Sequence, residues 1–214
     1  ALVGGGSSGL GRASAERLVA EGCRVAIWSR SEAGLRAVAD DLGARYGAEV
    51  ATIAADATEP GVASRVAEAA AAALGKVDIL LLNAGGPPPA DSVSTNPAGW
   101  EAAFRLLAIT PIELATLLLP GMRERRWGRV VAILSSGVRQ PIPDLVYSNA
   151  GRGALAAWMK TAARLVAADG VTVNGVLPGR IQTPRIESLD TGRAERTGTP
   201  VEAVRAEHLR TIPA

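Results

Sequence analysis

The sequence predicts an α/β fold built on a doubly wound parallel sheet, and three observations carry that expectation. A short apolar run, Ala1-Leu2-Val3, feeds the turn Gly4-Gly5-Gly6-Ser7-Ser8-Gly9-Leu10-Gly11, and a helical pattern follows from Arg12 to Gly22. Apolar strand patterns and helical patterns then alternate along the chain, with no repeat and no linker long enough to divide domains. Each strand pattern also ends in a polar or glycine-rich segment, so these segments collect at the carboxyl edge of the sheet, where such sheets take their ligands. A single domain of Rossmann type over residues 1–214 is the expectation.

The first turn has the layout that cradles a pyrophosphate. Glycines let the backbone turn tightly and approach the anion, and free N–H groups at the helix N-terminus meet its charge. The spacing is Gly5-x-x-x-Gly9-x-Gly11. Cys23 to Trp28 reads as the second strand, closed by Ser29-Arg30-Ser31, and a helix over about 32–46 places Leu35, Val38, Ala39 and Leu42 on one face. Glu49 to Ala54 is the third strand and ends in Ala55-Asp56-Ala57. An alanine-rich helix over about 60–74 has Pro60 in its first turn and Gly75 at its end.

Val77 to Leu82 is continuously apolar, as in a strand buried on both faces, and it breaks at Asn83-Ala84-Gly85-Gly86-Pro87-Pro88-Pro89. Two helices are expected next, over about 97–108 and 111–126. Arg129 to Leu134 is the fifth strand, ending in Ser135-Ser136-Gly137. A long helix over 148–168 follows, then a sixth strand from Val171 to Leu177 closed by Pro178-Gly179. Beyond Thr183 the pattern is polar and helical up to Ala214.

Composition removes several function classes. With 48% hydrophobic residues in 214, the chain can bury a sizeable core, and its net charge of +2 does not argue for nucleic acid. The basic cluster Arg123, Arg125, Arg126 and Arg129 brackets a helix end, where cations suit the dipole, and reads as solvated. Cys23 is the only cysteine, so no internal disulfide can form; it reads as a small buried group opening a strand. The single histidine, His208, cannot assemble a histidine-rich metal site, and in its polar segment it reads as solvated. No metal is expected. No apolar run approaches a membrane span, and no signal peptide is visible, so a soluble cytoplasmic protein is the default expectation.

Taken together, Gly5-x-x-x-Gly9-Leu10-Gly11, Asp56, Asn83-Ala84-Gly85, Ser135, Val173-Asn174 and Pro178-Gly179-Arg180-Ile181-Gln182-Thr183 resemble the short-chain dehydrogenase/reductase family. The pieces come in the family's order over essentially the whole chain, and the branch they look most like is the 3-oxoacyl-(acyl carrier protein) reductases. The resemblance implies an oxidoreductase that moves a hydride between a nicotinamide dinucleotide and a carbonyl or alcohol. Gly5, Ser7, Ser8, Gly9, Leu10 and Gly11 would hold the pyrophosphate and adenine ribose. Asp56 would meet the adenine edge, and Asn83, Ala84 and Gly85 would support the sheet and the adenosine ribose. Pro178, Gly179, Ile181 and Thr183 would meet the nicotinamide carboxamide. An acid at the end of the second strand would take a ribose 2′-hydroxyl and repel a 2′-phosphate. Here Ser29 and Arg30 stand instead, and a planar guanidinium with hydroxyl donors suits phosphate, so NADP(H) is favoured over NAD(H).

The same resemblance exposes a departure. The family's chemistry uses a Ser, a Tyr and a Lys four residues after it, helped by an Asn. Counting without gaps places these at Ser135, Ser148, Arg152 and Leu107, so three of the four are changed. Tyr147 lies one residue away, but a shifted assignment would set Gly151 at the lysine position. An alcohol is a far weaker acid than a phenol, which titrates near ~10. Arg152 keeps a cation one helical turn from Ser148. Three outcomes stay open: carbonyl reduction by another proton route involving Tyr147 or a water, reduction only of substrates that need little acid help, or dinucleotide binding without turnover. The resemblance further implies a last strand missing from this chain, a substrate lid over about 184–210, and a homo-oligomer paired through the helices at 111–126 and 148–168. In the latter helix Ala154, Ala157, Trp158 and Ala162 are the expected contact positions.

Overall fold

Alternation of side chains about the central strands organises the molecule. The computed structural model describes residues 1–210. Six strands form one parallel sheet: β1 (Leu2–Gly4), β2 (Val25–Ser29), β3 (Val50–Ala54), β4 (Ile79–Leu82), β5 (Gly128–Ile133) and β6 (Val171–Val176). Their order is β3-β2-β1-β4-β5-β6, so the winding reverses between β1 and β4. Residue Leu2 pairs with Ala26 on one side and Leu80 on the other, which sets the register of the centre.

Successive residues of a strand face opposite sides. Val3, Ile27 and Leu81 therefore point to one side, where α1 (Gly9–Ala20) contributes Ala15 and Val19 and α2 (Glu32–Tyr46) contributes Leu35, Val38 and Leu42. Leu2, Ala26, Leu80, Leu82, Val130 and Ala132 point to the other. They meet α3 (Val62–Leu74), α5 (Thr110–Glu124) and α6 (Val146–Val166) through Val66, Leu114, Met122 and Leu155. Each fully buried Leu of this kind contributes roughly 1.5–3 kcal/mol of transfer free energy. Both faces are covered, which is why β1, β2 and β4 read as apolar runs without alternation.

Several elements differ from the sequence expectation. The helix α3 starts at Val62 behind Gly61, whose φ of 72° is open to glycine, so Pro60 lies before the helix and not in its first turn. The two helices expected over 97–108 and 111–126 are one continuous helical stretch, α4 (Pro97–Phe104) joined to α5 by a π-turn at Arg105–Ile109. Pro111 does not break it because the wide turn just before it relaxes the ring's demand on the preceding carbonyl. By length and apolarity, Pro97–Glu124 could cross a membrane, against the expectation that no run could. Its Leu114, Ala115, Leu119 and Met122 are built into the core, which marks it as a buried core helix.

The basic cluster is exposed at its helix end, as expected, and is also paired. Arg123 and Arg126 hold Asp169, and Arg125 holds Asp78 at 2.9 Å. Arg129 lies over the Trp127 ring and donates to the Gly170 carbonyl. Cys23 is half-buried and precedes β2. Ala162 is buried in the core and is not a surface contact position. The chain divides into a unit spanning Ala1–Gly179 and a second that begins at Arg180. The second holds α7 (Pro184–Thr197) and α8 (Val201–Arg210), matching the helical segment expected over 184–210. Within it His208 is not solvated: its Nδ1 is 3.4 Å from the buried Asp190, and its Nε2 is 2.9 Å from Arg193. The expected continuation over 211–214 lies outside the described residues.

Candidate active site

The glycine turn follows from what its backbone must do. Gly5 and Gly9 have φ of 61° and 54°, the left-handed region that side chains other than glycine's avoid. A Cβ on Gly11 would collide with the Gly5 carbonyl, so only glycine lets α1 pack this close to β1. Ser8 caps α1 in extended conformation, yet its hydroxyl makes no capping bond, and no acidic residue lies in the first turn. The amides of Gly9, Leu10 and Gly11 precede the first intrahelical bond, that of Arg12, and face the carboxyl edge of the sheet at the β1/β4 reversal. Ser7 is half-buried beside them.

Asn83 explains how the turn keeps its shape. Its Nδ2 donates to the Gly4 carbonyl at 3.1 Å, and a Cβ on Gly4 would come within 2.5 Å of the Asn83 carbonyl oxygen. The side chain the resemblance assigns to the sheet and ribose thus braces the sheet directly. Ala84 and Gly85 continue the edge without regular structure, and Gly85 has open space around it.

At the ends of β2 and β3 the polar groups are aimed outward or left over. Among the described residues, the buried Ser29 Oγ and Trp28 Nε1 have no hydrogen-bond partner. Such groups are costly unless something completes them. Arg30 is exposed, with Nη1 3.9 Å from Asp56 Oδ2. Asp56 Oδ1 accepts from the Thr58 amide and hydroxyl, both at 2.8 Å. Burial works against the Asp56 charge, but the two Thr58 bonds and Arg30 outweigh it and hold the carboxyl below its usual range. A bare helix N-terminus, a glycine cradle and an exposed arginine together fit an anionic dinucleotide.

The second cluster stands at the end of β5. Ser135 follows that strand in extended conformation, and its Oγ accepts the Gly137 amide at 3.1 Å. On α6, Arg152 donates through Nη1 to the Ile133 carbonyl at 2.5 Å and through Nε to Ser148 Oγ at a long 3.4 Å. Ser148 is buried. Arg152 thereby ties α6 to β5 two residues before Ser135, and Ser135, Ser148 and Arg152 come to one edge. Tyr147 is turned elsewhere: its ring stands edge-on to Trp100 at 4.8 Å, and its hydroxyl accepts the Asn96 amide at 3.0 Å. Leu107, inside the π-turn, is buried against Gly151.

Pro178 and Gly179 follow β6 at the end of the first unit. In the second unit, Ile181 is exposed and Thr183 caps α7 by accepting the Ile186 amide at 3.4 Å. Sequence reasoning missed Trp28 Nε1 and Asn149. Asn149 grips Ile142 with both amide atoms, accepting from its N–H and donating to its carbonyl. A polar residue in the first turn of a long helix was the available signal, since such side chains hold the entering loop. Among the described residues no cluster of histidine, cysteine or acidic groups could hold a metal.

Comparison with known proteins gives this geometry its setting. The family model described as short chain dehydrogenase matches residues 1–194. The chain is 32% identical over 199 residues to 2,3-dihydroxy-2,3-dihydro-p-cumate dehydrogenase of Pseudomonas putida, covering 92% of this chain and 77% of that protein. It is 32% identical over 189 residues to the 3-oxoacyl-(acyl-carrier-protein) reductase of Escherichia coli, covering 88% and 76%. L-sorbose reductase from Gluconobacter frateurii, solved in complex with NADPH and L-sorbose, superposes with a TM-score of 0.87 at 29% identity, covering 94% of this chain and 77% of that one. With its parallel six-stranded sheet and its match to the family over residues 1–194, the chain belongs to the short-chain dehydrogenase family and is an oxidoreductase.

Proposed function

We propose that this oxidoreductase moves a hydride between NADP(H) and the carbonyl or alcohol carbon of a small molecule, at the carboxyl ends of β1, β4 and β5. The dinucleotide supplies and accepts the hydride; the chain binds and orients the reactants. Gly5, Ser7, Ser8, Gly9, Leu10 and Gly11 hold the pyrophosphate, and Asp56, Asn83, Ala84 and Gly85 border the adenosine. Pro178 and Gly179 line the nicotinamide end. Ser135 orients the substrate oxygen, while Ser148 and Arg152 stand where the family has its Tyr and Lys.

The observation that carries the cofactor reading is the exposed Arg30 at the end of β2, where no acid stands. A 2′-phosphate pairs with that guanidinium and meets no carboxylate on β2. Titration of nicotinamide fluorescence tests this: NADPH saturates the protein at least ~10-fold more tightly than NADH. Arg30→Asp reverses the order, because the new carboxylate repels the phosphate and accepts from a 2′-hydroxyl. Equal affinity of the wild-type protein for both dinucleotides rejects the preference, and no saturation by either rejects the function.

A homo-oligomer and a cytoplasmic setting go with this reading. Leu117 on α5 and Leu165 on α6 are 48% and 70% exposed, apolar surface that a second copy would cover. Cys23, as the only cysteine, leaves no internal disulfide to need an oxidising compartment.

A further inference from the structure

Two serine hydroxyls at the end of β5 have their hydrogens left over. A hydroxyl carries one O–H donor and two acceptor sites. Ser135 Oγ accepts the Gly137 amide, and Ser148 Oγ accepts the Arg152 guanidinium. Among the described residues neither hydroxyl donates to an acceptor in the chain. The incoming N–H bonds take lone pairs and leave each O–H to donate. The hydroxyl-bearing elements are fastened together by the Arg152 bond to Ile133, and Asn149, next to Ser148, holds the Ile142 backbone of the loop between them.

Resting on the function proposed above, we infer that Ser135 and Ser148 form a two-hydroxyl clamp that polarises a substrate carbonyl without protonating it during hydride transfer. The site accordingly favours ketones activated by electron-withdrawing neighbours. The balance is simple. A hydride from the reduced dinucleotide bonds to the carbonyl carbon, the C=O π pair moves to oxygen, and the resulting alkoxide is held by two O–H donors. Its proton then comes from water, which leaves hydroxide. A serine alcohol is too weak an acid to give up its own proton in that step, and Tyr147, the nearest phenol in sequence, is packed edge-on against Trp100 with its hydroxyl at the Asn96 N–H. Leu107 brings no polar group to the site. Arg152 acts through Ser148, as a positioning residue that occupies the lone pair and adds positive charge 3.4 Å from its oxygen.

Para-substituted acetophenones test the clamp in two ways. With oxidised NADP bound, so that no reduction occurs, the difference infrared spectrum of bound acetophenone shows its carbonyl stretch shifted to lower frequency. Ser148→Ala and Ser135→Ala each shrink the shift, Arg152→Met shrinks it in part, and Arg152→Lys restores it. With NADPH, rates across the substituent series rise steeply toward the nitro compound, because the oxygen carries nearly full charge. The double variant Ser148→Tyr with Arg152→Lys flattens that slope and speeds the methoxy compound by about 10²-fold, the scale of general-acid assistance. Ser148→Ala slows every member by roughly 10²-fold, as loss of an oxyanion donor does. NADPH titration accompanies each variant, so loss of the fold is visible, and Ser135→Ala provides an independent arm. Saturable dinucleotide binding with an unshifted wild-type carbonyl, or a slope unchanged by the double variant, overturns the clamp and leaves the function standing. Absence of dinucleotide binding overturns the function itself.

Discussion

Tyr147 and Ser148 are neighbours in sequence with different surroundings, because adjacent residues of a helix point about 100° apart. Ser148 faces the end of β5 through Arg152, whereas Tyr147 packs on Trp100 and completes the Asn96 amide at the start of α4. Counting along the sequence set Ser148 at the proton-donor position and argued against a shift to Tyr147, but it left a role for the Tyr147 ring open. The phenol is 5% exposed, stands edge-on to Trp100 and accepts the Asn96 N–H, surroundings that favour a packing role. Tyr147→Phe is therefore expected to remove the bond to the Asn96 amide and to lower stability by about 0.5–1.5 kcal/mol. Thermal melting checks this. A rate loss at unchanged melting temperature would return Tyr147 to proton transfer.

The first turn was legible because glycine there answers a geometric demand that no other residue meets. Gly11 shows the demand most sharply, as any Cβ would strike the Gly5 carbonyl and push α1 away from β1. Gly11→Ala is expected to abolish saturable NADPH binding and to lower the melting temperature, read by fluorescence titration and calorimetry. Retained affinity would mean that α1 can slide without loss of the cradle. The π-turn between α4 and α5 was illegible for the opposite reason. Nothing in Arg105-Leu106-Leu107-Ala108-Ile109 departs from helical preference, and the wider turn is set by packing of Leu107 against Gly151 in α6. Pro111 then read as a helix start, because a local rule for proline carries no knowledge of a turn already widened before it.

At the scale of the whole chain, the doubly wound parallel sheet followed from the alternation of strand and helix patterns, whereas strand order and charge pairing depended on partners far apart in sequence. Asp169 with Arg123 and Arg126 is one such case, and the group around Asp190 is another. In the second unit, Asp190 is 1% exposed and paired with Arg180, with His208 beside it. Burial, together with the Arg180 and Arg193 charges, holds the His208 imidazole below its ordinary range, and Asp190 and Glu207 only partly oppose this. An unfolded chain therefore takes up the proton first. The resulting stability is complete above the unfolded value near ~6.5 and is lost as pH falls through the lower folded value. In the first unit the depressed carboxyls are Glu16, Asp56 and Asp91, whose contribution is lost only below the ordinary carboxylate range near ~4. Acidification from pH 7 to about 5 should thus loosen residues 180–210 while the sheet holds. Limited proteolysis with mass mapping at both pH values would show new cleavage confined to that segment, and His208→Gln should suppress the difference. Cleavage that begins in the sheet, or a difference that persists in His208→Gln, would place the acid-sensitive group elsewhere.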